Sequence, residues 1–102
     1  MNKRELANSP VAQSVREKRA RRIELQAGLG AGSPSVKVFD ELTGVDISAV
    51  AGVLTGAASI TDDVFTTPQI QPSTAWRSYR VECWFTVGSE QWIRYFRLIA
   101  EA

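Results

Sequence analysis

Two apolar-rich runs of similar length, Ser78 to Val87 and Glu90 to Glu101, flank Gly88-Ser89 near the end of this 102-residue chain. A glycine in the first place of a two-residue loop supplies the positive φ of a type II′ turn, so the spacing predicts a long antiparallel hairpin. That turn fixes the register. Counting outward, Phe85 opposes Trp92, Cys83 opposes Arg94, Val81 opposes Phe96 and Tyr79 opposes Leu98, a set that reads as the core face. On the other face Trp84 opposes Ile93, Glu82 opposes Tyr95 and Arg80 opposes Arg97. Glu82 is expected there between Arg80 and Arg97, beside an apolar island of Trp84, Ile93 and Tyr95.

Upstream of the hairpin the apolar period is two. Val36 to Glu41 alternates, Thr43-Gly44 signals a turn, and Val45 to Ser48 follows as a second short run. Ala57 to Ile60 and Val64 to Thr67 read as another hairpin with Asp62-Asp63 at its turn and Pro68 ending it. Six or seven short strands with frequent turns predict a small antiparallel β-sandwich of immunoglobulin-like kind over residues 35–102. Tyr79 then stands where a tyrosine corner would bond back to the connection around Gln71 to Thr74.

The first third differs in kind. Residues 1–32 carry seven basic and three acidic side chains and no aromatic one, whereas the remainder carries five basic, eight acidic and all nine aromatics. Gly28 to Pro34 holds three glycines and a proline and reads as a linker. Before it, Ser9 as N-cap, Pro10 at the first helical position, a run of good helix formers and a Glu17 to Arg21 pair predict a helix ended by Gly28. Its apolar stripe, Val11 with Val15 and Ile23 with Ala27, is interrupted by Lys18, Arg19 and Arg22, so such a helix needs a partner surface. Residues 1–34 are thus expected to form a basic helical arm and linker that order on assembly.

Composition narrows the chemistry. The absence of His and the single Cys83 remove His-based acid/base catalysis, a Cys/His metal cluster and an internal disulfide. Asp40-Glu41 and Asp62-Asp63 fall at strand ends and turns, where solvated carboxylates are ordinary, so no catalytic, cofactor or metal residue is assigned. The polar start and the lack of a long apolar stretch predict neither a signal peptide nor a membrane span.

Val36 to Glu41, Thr43-Gly44-Val45-Asp46, the segment Ile60 to Pro68, Tyr79-Arg80-Val81 and the late hairpin together form a pattern that resembles small tailed-phage virion proteins. Residues 36–102 look like the Ig-like sandwich of the neck and fibre-tail adaptor type, encoded among head-completion and head-tail joining genes. The basic arm is a departure from that pattern. The resemblance implies a non-enzymatic virion component, made in the host cytoplasm, that joins portal, adaptor, tail or fibre proteins and assembles with copies of itself in a ring.

Two surfaces are expected to make those contacts: Arg16, Lys18, Arg19, Arg21, Arg22 and Ile23 on the arm, and Trp84, Ile93, Tyr95 and Arg97 on the outer sheet face. Trp, Tyr and Arg are enriched at the centres of protein interfaces. Two other readings compete. The basic helix could neutralise phosphates as a nucleic-acid module, although it lacks the second helix or zipper that would hold it in a groove. Alternatively, Trp76 and Trp84 could serve as stacking platforms for carbohydrate.

Overall fold

A computed structural model describes residues 2–7 and 9–102; Met1 and Asn8, both within the expected arm, lie outside the described residues. In chain order the strands are β1 (Asn2–Glu5), β2 (Val11–Ser14), β3 (Arg22–Glu24), β4 (Gly32–Asp40), β5 (Leu54–Thr55), β6 (Ser59–Thr61), β7 (Val64–Thr66), β8 (Gln69–Ile70), β9 (Ser78–Val87) and β10 (Glu90–Glu101). The protein is mainly β, and no helix occurs among the described residues.

The terminal hairpin forms with the register counted from its turn. Phe85 pairs with Trp92, Cys83 with Arg94, Val81 with Phe96 and Tyr79 with Leu98. Gly88 supplies the turn at φ 61° while Ser89 stays at negative φ, which is the type II′ pattern. β4 adds to the far side of β9 with Val38 opposite Val81, giving the order β1-β10-β9-β4, and β2 joins β10 further along the same edge as β1. The second sheet runs β3-β7-β6, and β5 pairs with β8. Asp62 and Asp63 turn the β6–β7 hairpin, both at positive φ.

Ile23 of β3 and Phe65 of β7 share one buried cluster with Tyr79, Val81, Phe85, Phe96 and Leu98 of β9 and β10, an arrangement consistent with a β-sandwich. The Phe65 and Phe85 rings lie 6.1 Å apart across that core. The Tyr79 hydroxyl accepts from the Thr74 backbone N–H at 3.0 Å, so this tyrosine anchors the preceding connection as its position predicts.

The first third corrects the sequence reading. No helix spans residues 10–27; β2 and β3 occupy that stretch, and β1 and β2 run parallel to β10 rather than antiparallel. Ser9 caps no helix. Its hydroxyl accepts from the Arg97 N–H at 2.9 Å and donates to Glu5, bridging the gap on the edge of β10 between β1 and β2. Arg21 bonds not to Glu17 but to Gln13, a buried side chain that in turn donates to the carbonyls of Ile70 and Glu17.

Burial explains the outcome. Arg22 and Glu24 are exposed while Ile23 between them is only 7% exposed, so the local period is two and not 3.6. Helix propensity is worth a few tenths of a kcal/mol per residue, whereas seating Ile23 in the core is worth about 2 kcal/mol. Leu6, Val11, Val15 and Leu25 pack on the same cluster, so residues of the expected arm belong to the shared core. The expected linker is also partly strand: Gly32, Ser33 and Pro34 lie in β4, whose pairing with β9 shifts between Gly32 and Ser35. Val45 to Ser48 makes a single bridge, Asp46 to Phe39, rather than a full strand.

Candidate functional site

The outer face of the β1-β10-β9-β4 sheet is built by side chains one position out of phase with the core set. Across its strands the rows read Ser35, Trp84, Ile93, Lys3 and then Lys37, Glu82, Tyr95, Glu5. A third row adds Phe39, Arg80 and Arg97.

Glu82 is the centre of this face. Its buried carboxylate lies 3.0 Å from Lys3 Nζ and 2.9 Å from Arg80 Nε, and it accepts a hydrogen bond from Trp84 Nε1 at 3.1 Å. The two cation contacts are charge pairs rather than aligned hydrogen bonds. Arg97 does not join them, contrary to the expected grouping: its Nε donates to Glu41 Oε1 at 2.8 Å, and that bond raises its pKa.

Lys3 and Arg80, together with Lys37, cover aromatic rings. Lys37 Nζ sits 4.3 Å from the Trp84 centroid, the Arg80 guanidinium 5.0 Å from that of Phe39, and Lys3 5.8 Å from that of Tyr95. Contacts of this kind contribute roughly 0.5–1 kcal/mol each at exposed sites and hold the long side chains down on the sheet. The result is a surface of cations laid over rings. Ile93 lies beneath it at 1% exposure, flanked by Trp84 and Lys3, so it supports the face and cannot itself touch a partner.

At one end this face runs into an apolar step. Trp76 is 73% exposed and Leu42 81% exposed, and together with Glu41, Arg77, Ser78 and Arg97 they line a shallow recess of about 350 Å³. Trp76 has φ 65°, an uncommon conformation for a bulky residue. Its N–H donates to the Ala100 carbonyl at 2.8 Å, and the Ala100 N–H donates to the Arg77 carbonyl. Those bonds anchor the Trp76 backbone to the end of β10. Arg77 is tied to Asp40 at 2.9 Å.

The expected basic surface lies elsewhere. Arg16, Lys18 and Arg19 are exposed in the connection from β2 to β3, where Arg19 exchanges backbone bonds with Ile70 and its guanidinium lies 3.8 Å from Glu17. Arg22 is exposed on β3, Arg21 is half-buried, and Ile23 is core rather than interface. The run contacts Gln13, Glu17, Thr67 and Ile70, whereas Trp84, Tyr95 and Arg97 contact Glu82, Lys3, Lys37 and Glu41, so two separate surfaces exist rather than one.

Sequence reasoning missed Lys3, Lys37 and Phe39, because their contribution depends on β1 and β4 flanking the hairpin. It also left Trp76 unplaced, since a loop residue carries no periodicity. The acidic pair has a structural use: Asp63 Oδ2 accepts from the Gly28 N–H at 3.0 Å, tying the β6–β7 turn to the loop after β3. The Cys83 thiol is buried, and desolvation followed by the charge of Glu82 pushes its pKa up, so the neutral thiol behaves as a small core group. No protein-family model matches the chain, and no curated protein matches it either.

Proposed function

We propose that this protein is a non-enzymatic, Ig-like structural module of a tailed-phage particle that joins neighbouring virion proteins through the outer face of its larger sheet. The observation that carries the joining role is the exposed Trp76–Leu42 step beside Arg97. Trp and Arg are enriched at interface centres, and the exposed Leu42 beside them extends the apolar area of the patch. The Ig-like reading is supported by the division into β1/β2-β10-β9-β4 and β3-β7-β6 and by the Tyr79 bond to Thr74. The virion setting rests on the resemblance of residues 36–102.

Rigidity suits the role. On the face beside that step, Trp84, Phe39 and Tyr95 and the cations over them are held by ion pairs and ring contacts within the chain, so they lose little side-chain entropy on docking. In particles purified from the strain that carries the gene, the chain is expected as a stoichiometric component. Replacing Trp76 and Leu42 together with Ser is expected to reduce its incorporation at least about tenfold, the loss of one or two interface anchors, while leaving the melting temperature of the isolated protein unchanged. Absence of the chain from particles would overturn the virion setting, and normal incorporation of the double variant would overturn this face as the joint.

A further inference from the structure

We propose that the open edge of β3 and the groove beside it accept an extended acidic and apolar segment of a partner protein as an added strand. β3 ends its sheet, and its backbone is half used. The Arg21 carbonyl accepts from the Thr67 N–H at 2.9 Å, the Leu25 N–H donates to the Asp63 carbonyl at 2.8 Å, and Ile23 opposes Phe65 between them. An antiparallel ladder bonds alternate residues, so the N–H and C=O groups of Arg22 and Glu24 point away from β7. They have no hydrogen-bond partner among the described residues. Edge groups of this kind are a ready template for a further strand.

The space beside that edge is shaped to hold one. A groove of about 300 Å³ separates β3 from β1 and β2, with Leu6, Val11, Ile23 and Phe96 as its apolar part. A second recess of about 160 Å³ shares Leu6 and Ile23 and continues past Leu25 to Phe85 and Trp92. The first groove is also lined by Arg19, Arg21 and Arg22, with no carboxylate among its lining residues. Arg21 bonds to Gln13 through one nitrogen, but among the described residues its buried Nε has no hydrogen-bond partner and no carboxylate lies within ion-pair distance.

An incoming strand that bonds to Arg22 and Glu24 places its alternate side chains over the same apolar floor that Ile23 covers. Carboxylates that alternate with them meet Arg22, which faces out beside Glu24, while Arg21, of the same parity as Ile23, borders the floor. The lining of the groove, three arginines and no carboxylate, favours an acidic partner segment; a second copy paired antiparallel through β3 would set Arg22 opposite Glu24 and is distinguished by the test below. The groove is distinct from the outer sheet face, and either site stands if the other fails.

The probe is a fluorescein-labelled heptapeptide, Glu-Val-Asp-Val-Glu-Val-Asp, titrated into the full chain at low ionic strength and read by polarisation and by backbone amide shifts. Saturable binding is expected, with the largest shifts at the Arg22 and Glu24 amides. Replacing every acid of the peptide by Lys, or Arg22→Glu in the protein, is expected to weaken binding at least about tenfold. Two versions N-methylated on alternate residues should differ: methylation of the edge facing β3 removes binding and methylation of the other edge preserves it. Absence of binding up to about 1 mM, equal tolerance of both methylation patterns, shifts confined to Trp84 and its neighbours, or self-association through β3 that excludes the peptide would each overturn the proposal.

Discussion

Phe85→Ala is expected to lower the stability of the isolated protein by about 4 kcal/mol, the range found for Phe truncation in a closed core. Phe85 is fully buried on β9 and touches both halves of the structure: its ring is 6.1 Å from Phe65 of β7 and 6.2 Å from Trp92 of β10. No element can collapse into the space, because β9 is held on both sides by β4 and β10. A domain of this size has only about 5–15 kcal/mol in total, so the variant is expected to melt at least about 15 °C lower. Thermal unfolding followed by circular dichroism measures this. A loss below about 1 kcal/mol would show that the two sheets do not close on Phe85.

The second large effect lies in the first third of the chain. Ile23→Asp is expected to abolish cooperative folding, since it removes an apolar contact and places a carboxylate in the cluster that holds Phe65, Phe85 and Phe96. The neighbouring change Arg22→Asp is expected to cost no more than about 0.5 kcal/mol, because that side chain faces solvent. The contrast separates strand from helix. On the helical arm expected from propensity, Ile23 would lie outside the sandwich and its replacement would leave the thermal transition in place. Urea titration of both variants decides between them.

The legible part of the fold was the part whose signal is local. Gly88-Ser89 sets the terminal hairpin by turn geometry alone, and every cross-strand pair from Phe85–Trp92 to Tyr79–Leu98 follows from it by counting. The β6–β7 hairpin and the Tyr79 corner were readable for the same reason. The first third was misread because its residues are individually good helix formers while its burial is decided by distant strands. Arg22-Ile23-Glu24-Leu25 does alternate, but four residues of alternation inside a helix-favouring run are a weak signal. β1 and β2 carry no hairpin signature at all, since parallel partners of β10 are distant in sequence. On the candidate face, Trp84, Tyr95 and Arg97 were found from hairpin parity, whereas Lys3, Lys37 and Trp76 require knowing which segments lie beside the hairpin.

These placements converge on one claim, that the leading residues are strands packed on the shared core, and that β3 keeps an open edge. Native-state amide hydrogen exchange on the isolated protein tests it residue by residue. The Leu6, Ile23 and Leu25 amides, bonded across to Tyr95, Phe65 and Asp63, are expected to exchange slowly, while Arg22 and Glu24 exchange fast. Fast exchange throughout residues 2–31, with protection confined to the later strands, would contradict the account.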